Sequence, residues 1–172
     1  MNILKEDWLS PKTEIKEIPE KGKGLFAIKA ISKGEPVIIY GGEYTDAKGA
    51  EKAKSSGKLV MQWDENLFTV EDRGEGKGYY INHSCDPNTW MEDAFTIVAM
   101  KNIKVGEEIR IDYAVFKKIT EDYVSKWKCK CGSQLCRGKV TGKDWQINEL
   151  QKKYKNHFTP VLNKLINKNN NK

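Results

Sequence analysis

Long apolar runs are missing from this chain. No stretch of about 18 apolar residues occurs, so no membrane-spanning helix is expected and no membrane partner is implied. The stretch from Met1 to Glu20 carries Lys5, Glu6, Asp7 and Lys12 and lacks an apolar segment, which argues against a secretory signal. No internal repeat is present, and no alternation of strands with long helices suggests a doubly wound sheet. These absences point to a soluble intracellular protein of a reducing compartment, cytoplasmic or nuclear. The 172 residues suit one domain, or one domain plus an extension, and suffice for a real core.

Charge is uneven. Of 30 basic and 24 acidic residues, eight lysines and two acids lie from Lys139 onward, so that segment carries the whole net +6. Such a tail could touch nucleic acid or another acidic surface, or could simply be a solvated helix with a frayed end.

Turn signals are frequent before residue 115. Thr13 to Ile18 alternates as a strand does, and Lys21-Gly22-Lys23-Gly24 reads as a turn before Leu25-Phe26-Ala27-Ile28. Val37 to Tyr40, Leu59 to Trp63, Leu67 to Val70, Phe95 to Met100 and Ile109 to Tyr113 read as further strands. Thr45 is positioned to cap a short helix through Ala53, and Asp72 to Gly78 reads as a loop. Later, Thr120 suits a helical turn, Asp144 to Tyr154 has helical spacing, and Thr159-Pro160 suits the start of a helix striped by Val161, Leu162, Leu165 and Ile166. Asn167 to Lys172 is of low complexity and is expected to be disordered. The pattern is a mostly-β domain with a few short helices.

The 4 cysteines are distributed as Cys85 and the cluster Cys129, Cys131 and Cys136. A Cys-x-Cys pair bridges poorly to itself but can turn both thiolates toward one metal ion. Three ligands leave a fourth to be found. Cys85 is the remaining thiol, with His83 and His157 as weaker candidates and a plain buried cysteine as the alternative for Cys85. A site closed by four thiolates would hold a structural zinc rather than a catalytic one.

Tyr80-Ile81-Asn82-His83-Ser84-Cys85-Asp86-Pro87-Asn88 resembles the signature block of SET-domain protein-lysine methyltransferases. Gly22-Lys23-Gly24-Leu25-Phe26-Ala27 resembles that family's first glycine motif, Tyr40-Gly41-Gly42-Glu43 its next step, and Gly106 to Tyr113 its closing strand. Cys129 to Gly138 is similar to its post-SET zinc loop. All five occur in family order. The resemblance implies a SET-type (β-clip) fold of small curved sheets with a pseudoknot, and segments at 13–116 (SET), 120–145 (post-SET) and 146–172 (a basic helical extension with a disordered end). No pre-SET segment is seen.

It further implies methyl transfer from S-adenosylmethionine to a lysine amine of a protein substrate, a histone or other basic protein. Tyr113 would be the catalytic tyrosine and Tyr40 would line the same channel. Gly22, Lys23, Gly24, Leu25, Tyr80, Asn82 and His83 would bind the cofactor, with Asn82 on its methionine part and His83 on the adenine through its backbone. Cys85 would join Cys129, Cys131 and Cys136 on one zinc ion. Some residues depart from the family pattern: Tyr79-Tyr80 replaces arginine-phenylalanine, Lys23 replaces tryptophan, and Ile111 stands where several members carry an aromatic residue that affects methyl number. A non-catalytic interaction module with the same fold, and a nucleic-acid binder using the lysine tail, are the competing readings.

Overall fold

The computed structural model describes residues 4–19, 22–72, 76–116 and 123–170. Its first strands are β1 (Trp8–Leu9), β2 (Thr13–Ile18), β3 (Gly22–Ala27), β4 (Pro36–Ile39) and β5 (Glu43–Thr45), followed by helix α1 (Ala47–Ser55). Then come β6 (Leu59–Asp64), β7 (Leu67–Glu71), β8 (Asn82–His83), β9 (Thr89–Met91), β10 (Thr96–Ala99) and β11 (Glu108–Ile111). Helices α2 (Asn148–Tyr154) and α3 (Pro160–Asn170) end the described chain. The fold is mostly β with three short helices, as the sequence implied.

One large sheet runs in the order β1-β4-β10-β9-β11-β3-β2, and β8 pairs with β11 off this path. β11 is its hub. It lies antiparallel to β3, with Ile109 facing Leu25, and parallel to β8 and β9. The parallel pairing sets Arg110 opposite Asn82 and Ile111 opposite His83, so the signature block is laid along the closing strand. A second sheet, β5-β7-β6, is covered by α1, whose Ala50 packs with Val60 and Val70.

Several local expectations shift. The glycine run is strand from Gly22 onward, because β2 and β3 pair from Thr13↔Ala27 to Ile18↔Gly22. Gly22 makes the reversal at φ +83°, a conformation that side chains disfavour. Asp46 rather than Thr45 caps α1, accepting the Gly49 N–H at 2.8 Å, since Thr45 belongs to β5. The closing strand stops at Ile111, where Asp112 accepts the Ala114 N–H and starts a 3₁₀ turn over Tyr113–Val115. Helical spacing over 144–154 resolves into a 3₁₀ turn, Asp144–Gln146, and α2. Thr159 does precede α3, but its buried hydroxyl makes no hydrogen bond; its carbonyl receives the Leu162 and Asn163 N–H groups. α3 continues through Asn170, so most of the expected disordered end is helical. The helical turn expected at Thr120 lies outside the described residues.

Leu25, Ile38, Trp63, Ile97, Ile109 and Ile111 form the core, and Tyr154, Phe158, Leu162 and Ile166 belong to the same cluster. No helix among the described residues is long and apolar enough to cross a membrane.

Candidate active site

Asn82 is fixed from both sides of the hub strand. Its amide nitrogen donates to the Lys23 carbonyl at 3.0 Å and to Glu108 Oε1 at 2.9 Å. Both partners are acceptors, so the orientation of the amide is determined. Its Oδ1 makes no hydrogen bond among the described residues and is left to accept from a ligand. Gly24 permits this packing: a Cβ there would stand 2.6 Å from Ile18 Cδ1 and 2.9 Å from the Asn82 amide nitrogen.

His83 Nδ1 accepts the Tyr113 N–H at 3.2 Å, which assigns the ring proton to Nε2. That nitrogen lies 3.4 Å from Cys85 Sγ. The imidazole therefore ties the closing strand to the cysteine cluster. Tyr113 donates its hydroxyl proton to the Ile81 carbonyl at 2.8 Å. Burial raises its pKa well above the usual phenol value, aided by Tyr79, Tyr123 and Glu108, so it stays neutral. Tyr40 is raised likewise, by burial first and then by Asp7, Tyr113 and Glu71. Phe116 neighbours both tyrosines, with ring centroids 6.4 Å from Tyr40 and 6.3 Å from Tyr113.

The sulfurs of Cys85, Cys129, Cys131 and Cys136 all lie within 4.8 Å of one another. A tetrahedral zinc with Zn–S distances of about 2.3 Å needs sulfurs roughly 4 Å apart, so the cluster fits the ion. Gly132 and Gly138, at φ +76° and +77°, turn the loop, and the Cys129 N–H closes it on the Gly138 carbonyl at 2.7 Å. Burial pushes the Cys129 thiol up to about 12. Burial also opposes ionisation of Cys131, but hydrogen bonds from the Cys85 backbone, Ser133 and the neighbouring thiols outweigh it and bring Cys131 to about 6. His83 and His157 are not part of this group; His157 stacks on Trp90 at 3.6 Å and bonds the Met91 carbonyl.

Beneath the loop, Arg137 grips the fully buried Asp112 with two bonds of 2.7 and 2.6 Å and reaches Asp144 at 3.1 Å. With the Ala114 N–H already on Asp112, the Tyr154 hydroxyl adds a fourth hydrogen bond at 2.9 Å. Burial alone would raise Asp112; the hydrogen bonds and charge of Arg137 prevail and hold it below the ordinary carboxylate range.

Above this buried network lies a cleft of about 960 Å³. Gly22, Lys23, Tyr80, Asn82 and His83 line it together with Tyr40, Phe116 and Tyr113. The cysteine loop contributes Trp127 and the segment 128–131, and the small sheet contributes Leu59, Met61 and Glu71. Two of the expected cofactor residues are elsewhere. Leu25 is wholly buried in the core with its main chain paired to β2 and β11, and Gly24 sits behind Asn82 rather than on the cleft surface.

The SET domain family is matched over residues 22–114, more than half of the chain. The chain belongs to the SET-domain family. This SET domain is 33% identical over 129 residues to the histone-lysine N-methyltransferase trithorax of Drosophila virilis, covering 67% of the chain and 3% of that protein. It is 32% identical over 135 residues to the histone-lysine N-methyltransferase ASHH3 of Arabidopsis thaliana, covering 69% of the chain and 35% of that protein. It therefore spans only a small part of these relatives. The methyltransferase domain of human histone-lysine N-methyltransferase SETMAR shares its fold, with a TM-score of 0.59 at 23% identity, over 76% of this chain and 58% of that one.

The sequence alone assigns no role to Glu108, Asp112, Arg137, Glu71 or Trp127 of this SET domain, although Glu108 and Asp112 fall within the closing-strand motif. Arg137 had one signal, its place directly after Cys136. The others depend on long-range pairing that no local pattern reveals.

Proposed function

We propose that this protein transfers a methyl group from S-adenosylmethionine to the side-chain amine of a lysine in a protein, histones and other basic proteins being the substrate class. The observation that carries this is the convergence of Asn82, with an open amide oxygen, and the aromatic group of Tyr40, Phe116 and Tyr113 on one cleft of a SET-family chain.

The donor, when bound, supplies a methyl group on a positively charged sulfur, open to direct displacement by a neutral amine. Lys23, Asn82 and His83 would hold it, with Asn82 Oδ1 accepting from its ammonium and the Gly22–Lys23 main chain and the Tyr80 ring bordering it. The aromatic group does the rest. A lysine amine with a pKa near about 10.4 is an ammonium at neutral pH. Apolar walls disfavour that charge and so favour release of the proton before reaction. Tyr113 is not a base: its proton is already given to the Ile81 carbonyl and its pKa is high. Its oxygen can accept an amine N–H and so aim the nitrogen lone pair, an orienting role that turns an encounter into a unimolecular step.

The four cysteines would hold one structural zinc, fixing the loop whose Trp127 to Cys131 borders the cleft. The proposed division of labour is a catalytic body at 13–116, a metal-held wall at 120–145 and a helical C-terminal part that braces both.

The deciding experiment incubates the purified protein with labelled S-adenosylmethionine and histones, ribosomal proteins and DNA-packaging proteins, then maps modified lysines by mass spectrometry. Labelled lysine is expected. No cofactor binding by calorimetry together with no labelling of any extract would overturn the proposal and leave the interaction module.

A further inference from the structure

One wall of the cleft bears a carboxylate that no cation among the described residues pairs with. Leu59 and Glu71 are cross-strand partners in β6 and β7, and Met61 lies two residues along from Leu59, so all three share a face of the small sheet. All three line the cleft. Glu71 is half-buried, yet among the described residues it makes no hydrogen bond and no ion pair. The nearby lysines are engaged elsewhere, Lys58 with Asp72 at 3.7 Å and Lys77 with Glu6 at 3.9 Å.

A second carboxylate worsens its position. Asp7 is pinned by the Gly41 N–H at 2.9 Å and the Gly78 N–H at 2.7 Å, so it cannot swing away. Burial, and then the charge of Asp7, push Glu71 up to about 7. A cation arriving here would relieve both effects, and the apolar pair beside the carboxylate suits a long aliphatic stem.

We infer that Leu59, Met61 and Glu71 form a subsite for a second basic side chain of the protein substrate, a lysine or arginine flanking the one that is methylated. This rests on the methyl-transfer reading above. The target lysine itself is the less suitable occupant. Tyr40 packs against Gly78 and Asp7 on one side, a Cβ on Gly78 falling 2.5 Å from its ring and 3.1 Å from Asp7 Oδ2. Phe116 neighbours both Tyr40 and Tyr113. Glu71 is close enough to Tyr40 for its charge to raise the phenol, whereas the groups that act on Tyr113 are Tyr79, Tyr123 and Glu108, so the carboxylate faces a neighbour of the reacting lysine rather than the amine itself.

The test uses short synthetic peptides with one central lysine and one arginine moved through the flanking positions, each matched by its citrulline counterpart, which keeps the shape and loses the charge. Binding is read by fluorescence anisotropy in the presence of S-adenosylhomocysteine. At one position arginine should bind about tenfold tighter than citrulline, the range of a charge-assisted hydrogen bond. Glu71→Gln should erase that difference while citrulline peptides bind as before, and Glu71→Lys should turn it into a preference for citrulline. Unchanged calorimetric affinity for S-adenosylhomocysteine establishes that each variant is folded. Discrimination that survives Glu71→Gln, or its absence at every position in the wild type, overturns the inference. Binding is scored separately from turnover, so a protein that transfers no methyl group sinks the functional proposal without deciding this one.

Discussion

Tyr113 and Arg137 separate chemistry from stability at the level of single residues. Tyr113→Phe removes only a hydroxyl whose proton goes to the Ile81 carbonyl at 2.8 Å. Loss of one positioned polar group at a reacting centre lowers turnover by about 10²–10³. The expected result is a kcat lower by about two orders of magnitude, with calorimetric cofactor affinity nearly unchanged. Arg137→Leu acts oppositely. It strands Asp112, which is fully buried and held mainly by Arg137, and breaking such a pair from one side destabilises by about 3–5 kcal/mol. Urea unfolding should show that loss. The pH sign follows from the depressed carboxyl of Asp112. Its contribution is present above the unfolded carboxyl pKa of about 3.9 and disappears as pH falls through the lower folded value. The variant should therefore match the wild type more nearly in strong acid than at pH 7. Residues of this kind were unevenly legible. The Asn82–His83 and cysteine motifs could be recognised because their types and spacings are unusual. Asp112 lies within the closing-strand motif, but its burial and its partner 25 positions away exist only in the folded chain.

The closing strand and the cysteine loop carry the site as elements. β11 pairs with β3, β8 and β9 at once, so its placement determines where Asn82, His83 and Tyr113 meet. Alternation and β-branching made the longer strands visible. The two-residue β8 had no pattern to read, since parallel pairing to a distant strand and not local propensity makes it a strand. The first glycine motif misled for a related reason: Gly-x-Gly reads as a turn, yet Gly24 serves close approach within a strand. Gly24→Ala should displace the Asn82 amide and weaken S-adenosylhomocysteine binding by about 0.5–1.5 kcal/mol, the worth of one hydrogen bond, measured by calorimetry. The cysteine loop makes a sharper prediction. Native mass spectrometry should find one zinc per chain, and Cys85→Ser should lose it. A strong chelator should then speed proteolytic cleavage within 125–140 and reduce cofactor affinity, because Trp127 to Cys131 border the cleft.

Across the whole molecule, the C-terminal third changes meaning between sequence and structure. Its lysines read as a contact for nucleic acid or as a solvated helix with a frayed end. Packing adds to this: Tyr154, Phe158, Leu162 and Ile166 share the core with Leu25, Ile97 and Ile109, and the Thr159 N–H bonds the Val115 carbonyl at 3.0 Å, two residues past Tyr113. Helical spacing announced an apolar stripe, but only the tertiary fold says what it covers. Removing residues 146–172 is therefore not a test of nucleic-acid contact, since it opens the core. Leu162→Ala alone should destabilise by about 2–5 kcal/mol, as large-to-small changes at fully buried leucines do. The charge can be tested separately at Lys152, Lys155 and Lys168, which are exposed. Replacing all three by glutamine should leave the thermal midpoint within a few degrees, because surface changes of this kind are worth about 0.5 kcal/mol or less each. If the tail binds nucleic acid, that variant should also flatten the salt dependence of DNA affinity by close to one phosphate contact per lysine removed. Equal slopes for the two proteins would exclude that contact and leave the segment its packing role, with the apolar face bracing the 3₁₀ turn that carries Tyr113.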